Sequence, residues 1–111
     1  MHFSAILPGD EEEGMYTATM LYRFKDDAFD RSCEIWKNEV MEHARSQPGF
    51  IRMQFLVARP NALAMGTWED NAHARRFMDT GVFKRLLARL SEMVIASPKQ
   101  TIWDLKYFAE K

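Results

Sequence analysis

Two short segments of this chain each join a turn or a helix start to an apolar strand. In Gln47–Phe50, proline and glycine end a helix and lead into an apolar run. In Gly66–Asp70, an apolar run ends and Asp70 is placed to cap the helix that follows. Together with the apolar runs on either side of them, these segments predict the element order β-α-β-β-α-β.

The remaining boundaries follow from hydrophobic periodicity and from turn residues. Four strands are predicted, at Met15–Phe24, Phe50–Ala58, Ala62–Trp68 and Gln100–Phe108. Asp26 or Asp27 is expected to start a first helix over Ala28–Ser46. A second helix is predicted from Asp70 to about Met93, broken at Gly81.

The predicted fold is a ferredoxin-like α+β sandwich, with both helices on one face of an antiparallel four-stranded sheet. The first helix carries an apolar stripe for that contact, formed by Phe29, Cys33, Trp36, Val40 and Ala44. Because the strands are apolar on both faces, the second sheet face also needs a cover. We expect a homodimer whose two sheets close into a barrel.

Composition narrows the class of protein. With 111 residues and a net charge of -1, the chain suits one domain without the basic surface that nucleic acids or anionic membranes require. We assign residues 1–14 to a polar leader and residues 15–111 to the domain. No run approaches the length of a membrane span, so a cytoplasmic location is expected. Cys33 is the sole cysteine, which excludes an internal disulfide and a multi-cysteine zinc site.

Three motifs in this order and spacing resemble the antibiotic-biosynthesis-monooxygenase-like group of the dimeric α/β-barrel superfamily. They are Pro48–Phe50 at the second strand, Trp68–Asp70 after the third, and Phe77–Lys84 in the second helix. The resemblance implies the dimeric barrel fold. It also implies a choice among activities, because the superfamily includes cofactor-free oxygenases of phenols and quinols, haem-degrading enzymes, isomerases and proteins without an assigned role.

The haem-degrading branch is a poor match at its functional positions. It has a Trp and, ten residues later, a His in the second helix, where this chain has Phe77 and Leu87. Its first-strand Asn corresponds to Met20. Haem degradation by that mechanism is therefore not expected.

His43 is the candidate general base for cofactor-free oxygenation. It lies two helical turns after Trp36, so both side chains project from nearly the same helix face. An imidazole exchanges a proton readily near neutral pH. The alternative is a structural histidine, held near the helix C-terminus where the helix dipole favours the imidazolium form.

The other candidate site residues would bind the substrate. Tyr22 is expected to hydrogen-bond a substrate oxygen, or else to point to solvent at the rim of the sheet. Arg52 pairs either with an anionic substrate or with a partner at the surface or the dimer interface. The candidate pocket walls are aromatic side chains that also suit a plain core, namely Trp36, Phe55, Trp68 and Phe83.

Two residues are set aside as sites. Cys33 has no neighbour in sequence that would activate a thiol, and His73 is expected on an exposed helix surface. No metal-ligand spacing is present. The first hypothesis is a monooxygenase-like enzyme that acts on a small aromatic or quinol-type molecule without a cofactor. The alternatives are a non-catalytic small-molecule binder on the same scaffold, and a protein that binds haem without degrading it.

Overall fold

The computed structural model describes residues 15–111, so the predicted leader, residues 1–14, lies outside the described residues. The strands are β1 (Tyr16–Arg23), β2 (Phe50–Ala58), β3 (Asn61–Trp68) and β4 (Lys99–Asp104). Helix α1 spans residues 29–44, after a 3-10 turn at Asp26–Ala28. Helices α2 (Asn71–Met78) and α3 (Val82–Leu90) follow β3.

The four strands form one antiparallel sheet in the order β2-β3-β1-β4. The predicted ferredoxin-like α+β fold is confirmed. Strand β4 ends at Asp104 and not at the predicted Phe108, because Asp104 pairs with Tyr16, the first residue of β1. Beyond Asp104, β4 has no further β1 residue to pair with in the described part of the chain.

The helices cover the sheet face that carries Tyr22, Ala62, Ala64 and Trp68, and the core lies between the two layers. We call this space the interior. We call the opposite face the open face. It carries the alternate residues of each strand, as at the cross-strand pairs Thr17–Thr67 and Leu56–Leu63. Three of its large apolar side chains are exposed, namely Leu21, Leu56 and Trp103.

Helix α1 is one helix with a π-helical segment inside it. The backbone is α-helical over Phe29–Trp36, π-helical over Lys37–Met41 and α-helical again over Glu42–Ala44. The expectation that Asp26 or Asp27 caps it is wrong, because no side chain caps the preceding turn. Asp26 instead accepts a hydrogen bond from Arg59, in the β2–β3 connection, at 3.1 Å.

Strand β2 contains a bulge that the alternating sequence does not reveal. Phe50 pairs with Trp68 and Arg52 pairs with Thr67, which leaves Ile51 as the extra residue. The bulge puts Phe50 on the interior side and leaves Ile51 exposed. Strict alternation along Phe50–Ala58 predicts Ile51 on the face of Met53, Phe55 and Val57, and Phe50 on the other face. The bulge makes this prediction wrong for Phe50 and Ile51, whereas Met53, Phe55 and Val57 lie on one face as predicted.

The start of α2 is capped as predicted. The Asp70 carboxylate accepts a hydrogen bond from the His73 backbone N–H at 2.9 Å, and a second hydrogen bond joins it to His73 Nδ1 at 2.7 Å. The backbone bond, and then the imidazole, hold the pKa of Asp70 below its usual range. His73 is half-buried against Gly49 and not exposed as expected, since the cap directs its ring onto the turn before β2.

The break between α2 and α3 also occurs where the sequence predicts it. Gly81 has a φ of 86°, in the left-handed region, and α3 begins at the next residue. The helix ends at Leu90, three residues before the predicted end. None of the helices in residues 15–111 is long and apolar enough to cross a membrane.

Candidate functional site

Three buried polar atoms in the interior lack a hydrogen-bond partner within the described part of the chain. They are the Tyr22 hydroxyl, the Trp36 indole N–H and Nε2 of His43. Buried polar atoms in native structures are nearly always paired with protein or with ordered water. These atoms are therefore the candidates for hydrogen bonding to a molecule bound in the interior.

Tyr22 lies wholly inside the core and not at the rim of the sheet. Its side chain is 0% exposed, and its ring stacks on Phe24 with the centroids 5.4 Å apart. Burial strongly raises the pKa of Tyr22, and the nearby Trp36 indole lowers it by less. The phenol therefore keeps its proton at neutral pH and can donate a hydrogen bond.

Trp36 brings α1 into contact with strand β2. Its indole is 1% exposed and stacks on Phe55 with a centroid distance of 4.3 Å. The structure thus brings together three of the predicted site residues, Tyr22, Trp36 and Phe55. We call them the tyrosine cluster.

His43 belongs to a second aromatic group at the end of β3. Its ring lies 5.5 Å from that of Phe77, which in turn is 4.9 Å from Trp68 and 5.6 Å from Phe83. We call these four residues the histidine cluster. The imidazole thus lies against the Phe77 ring with its Nε2 atom buried, and a base in such a setting can take a proton from a bound substrate.

The two clusters occupy different positions along α1. The seven residues from Trp36 to His43 correspond to about 10 Å along the helix axis. The π-helical segment Lys37–Met41 lies between the two residues and changes the phase of the helix there. Such segments are frequent near functional sites because they reorient side chains.

The structure does not bring Arg52 to either cluster. Arg52 pairs with Thr67 on the open face and is exposed, whereas Phe55 points into the interior. The sheet itself therefore separates the guanidinium from the other candidate residues within one chain.

Phe77 is the one member of the two clusters that was not predicted from the sequence as a site residue. It is 1% exposed and is the ring that connects His43, Trp68 and Phe83. Its position two turns after the Asp70 cap, on the apolar side of α2, is the signal that could have identified it.

Cys33 is half-buried on α1 and is poorly placed as a nucleophile. Burial, and then the carboxylate of Asp30, raise the pKa of this thiol, while Arg59 lowers it by less. A thiol with a raised pKa carries little thiolate at neutral pH.

The described residues contain no group of three metal-binding side chains. The haem-degrading arrangement does not fit the structure. Phe77 is packed against Trp68, Leu87 is 42% exposed on α3, and Met20 packs against the core. None of these three side chains is a hydrogen-bond donor or a base of the kind that haem degradation uses.

Two surface hollows lie outside the interior. One, of about 350 Å³, follows α3 and has an apolar lining that includes Leu87, Leu90, Val94 and Ile95. The other, of about 510 Å³, lies on α2 between Asn71, Ala72, Arg75, Arg76 and Asp79. Neither hollow is lined by a member of the tyrosine or histidine cluster.

No protein-family model matches the chain, and no curated protein matches it significantly. Solved structures do match. SnoaB from Streptomyces nogalater, a cofactor-independent oxygenase, is 17% identical, and the match covers 88% of this chain and 99% of SnoaB with a TM-score of 0.73. A protein described as an antibiotic biosynthesis monooxygenase is also 17% identical, over 83% of this chain and 99% of that one, with a TM-score of 0.71.

Rv0793 from Mycobacterium tuberculosis is 8% identical, over 87% of this chain and 100% of Rv0793, with a TM-score of 0.75. At such identities the matches establish the fold. The chain therefore has the antibiotic-biosynthesis-monooxygenase-like fold that its motifs resemble.

Proposed function

We propose that this chain is a cofactor-independent, monooxygenase-like enzyme that acts on a small aromatic or quinol-type molecule bound in the interior. The observation that carries the proposal is the histidine cluster, where the buried Nε2 of His43 has no partner among the described residues and the imidazole lies 5.5 Å from the Phe77 ring. Oxygenases with this fold, such as SnoaB, are consistent with the proposal.

In this proposal His43 removes the phenolic proton of the substrate. The resulting electron-rich anion reduces O₂ directly, and a carbon–oxygen bond forms at the ring carbon opposite the phenolate. That carbon loses its hydrogen and becomes a second carbonyl. One oxygen atom of O₂ is retained in the quinone and the other leaves as water, so a phenol and O₂ give a quinone and water.

The tyrosine cluster would hold a substrate oxygen. The Tyr22 hydroxyl and the Trp36 N–H are both donors, and the raised pKa of Tyr22 keeps its proton in place. Two donors in a dry interior stabilise negative charge on a substrate oxygen as it develops. The stacked rings of Trp36 and Phe55 would form one flat wall.

Oxygen consumption with a panel of hydroquinones, phenols and fused-ring phenols tests the proposal. We expect the rate of oxygen consumption to be unchanged by a metal chelator. In the His43→Gln variant the rate should fall at least about tenfold, the loss typical of removing a general base. His73→Gln is the matched control, because it removes a histidine that touches neither cluster. Uptake that is equal in the His43→Gln variant and the parent would remove His43 from the mechanism.

A non-catalytic binder is the second candidate, and the same unpaired polar atoms support it. Four methionines, Met20, Met41, Met53 and Met93, pack against the core and could adapt to a ligand. A tightly bound aromatic molecule that is recovered chemically unchanged would favour this function over catalysis. Haem binding is tested separately by titration with haemin, where the absence of a shifted Soret band excludes it.

We further propose that a second copy of the chain covers the open face. Leu56 is 47% exposed and Trp103 is 52% exposed on this face. Large apolar side chains that are exposed on the same face of a sheet are typical of an interaction surface. Native mass spectrometry of gently purified protein tests both the dimer and a retained ligand. Leu56→Lys should give monomers, whereas Leu87→Lys, at an exposed leucine on α3, should not. A monomeric parent protein would contradict this proposal.

A further inference from the structure

The hollow on α2 is basic, and its two guanidinium groups lack an ionic partner among the described residues. Arg75 and Arg76 are exposed, and neither forms a salt bridge within residues 15–111. Among the described residues that line this hollow of about 510 Å³, Asp79 is the one that carries a carboxylate. The hollow therefore suits an occupant with several negative charges.

The chain carries such an occupant immediately before β1. Residues 10–13 are Asp10, Glu11, Glu12 and Glu13, four consecutive carboxylates. Glu13 precedes Tyr16 by three residues, so the Cα atoms of the two residues can lie no more than about 10 Å apart. Asp10 can lie no more than about 20 Å from Tyr16 by the same measure.

The acidic run is connected to β1 at Tyr16, close to the start of α2 and its hollow. Tyr16 pairs with Trp68 at the end of β3, three residues before α2 begins at Asn71. The charge of Arg75 lowers the pKa of Tyr16, although burial raises it by more. The Arg75 guanidinium therefore lies close enough to Tyr16 to act on it through its charge.

We propose that the acidic run Asp10–Glu13 docks in the α2 hollow and pairs with Arg75 and Arg76 of the same chain. Charge complementarity and short reach together select this occupant over a separate molecule. Because tethering makes the encounter intramolecular, weak exposed ion pairs suffice to hold the segment. The proposal does not rest on the proposed enzymatic function.

The test compares amide NMR spectra of the full-length chain with those of a variant that carries Asp10→Asn, Glu11→Gln, Glu12→Gln and Glu13→Gln. We expect chemical-shift changes at residues 71–79. The same changes should appear when the parent is brought to about 1 M salt, where the screening length falls to about 3 Å. Changes confined to residues 10–15 would overturn the proposal.

The reciprocal variant is Arg75→Gln with Arg76→Gln, which should shift the amides of residues 10–13. The matched control is Arg31→Gln with Lys84→Gln, which removes two exposed positive charges outside the hollow. Equal shifts at residues 10–13 in both variants would indicate a general charge effect and contradict docking.

Inorganic phosphate provides an independent measurement. If the acidic run fills the hollow, phosphate should bind residues 71–79 more tightly in the neutralised variant than in the parent. Equal phosphate affinity in the two proteins would show that the hollow is open to free anions and would overturn the proposal.

Discussion

The indole of Trp36 stacks on the phenyl ring of Phe55, with the ring centroids 4.3 Å apart and the planes inclined by 25°. This contact joins α1 to β2, an edge strand of the sheet. It also fixes the indole within the interior, where its N–H has no partner among the described residues. The contact that stabilises the fold therefore also positions a candidate substrate-binding group.

A double-mutant cycle should detect this stacking. Trp36→Leu and Phe55→Leu each remove one ring, and the double variant removes both. We expect a coupling free energy of about 1 kcal/mol in chemical denaturation, the size found for aromatic pairs beyond their area burial. Free energies of unfolding that add without a coupling term would contradict a specific ring contact.

Removing the hydroxyl of Tyr22 should stabilise the ligand-free protein. A buried polar group without a partner costs free energy, so Tyr22→Phe should raise the free energy of unfolding by about 1 kcal/mol. The same variant should weaken binding of a phenolic ligand, because a donor is lost. Tyr107→Phe, at an exposed ring, is the control. A destabilised Tyr22→Phe protein would mean that the hydroxyl is paired in solution.

Alkaline pH should reveal the raised pKa of Tyr22. In the absorbance titration of tyrosinate, Tyr22 should not ionise near its ordinary value of 10.0 while the protein is folded. The amplitude of the step near pH 10 should therefore be the same in the parent and in Tyr22→Phe. A smaller step near pH 10 in Tyr22→Phe than in the parent would show that the phenol is solvated.

The sign of the linked stability change follows from the same pKa. Above about pH 10 the unfolded chain releases the Tyr22 proton while the folded chain retains it, so the unfolded state binds fewer protons and stability falls as pH rises. Below that pH the two states hold the proton equally and the dependence disappears. Tyr22→Phe should make the alkaline loss of stability shallower.

The two glycines with positive φ should respond differently to substitution. Gly81→Ala places a side chain in the left-handed region and should cost about 1–2 kcal/mol. Gly49→Ala should cost more, because its Cβ would also overlap the His73 ring. Adding His73→Ala should recover part of the Gly49→Ala loss and none of the Gly81→Ala loss. Equal costs at the two glycines in thermal unfolding would contradict the contact.

Local signals predicted their elements well because the interactions that create those elements are themselves local. The Asp70 cap bonds a backbone N–H three residues away, and Gly81 supplies a backbone conformation that other residues avoid. Both features lie where the sequence predicts them.

Features that depend on distant partners were missed. The bulge at Ile51 arises where β2 registers against β3, and the early end of β4 reflects where β1 begins. The burial of Tyr22 depends on packing between β1 and α1, which alternation along one strand does not reveal. His73 was misplaced for the same reason, since its contact is with Gly49 in another turn.

Hydrophobic periodicity, caps and glycine turns act over a few residues, so they were enough to predict the order of elements and the fold class. Which candidate residues lie together depends on the tertiary structure. It placed Tyr22 with Trp36 and His43 with Phe77, and it put Arg52 on the opposite face of the sheet. The physical reason is that side-chain neighbours are set by strand register and by the phase of α1, and both depend on contacts between residues far apart in the chain.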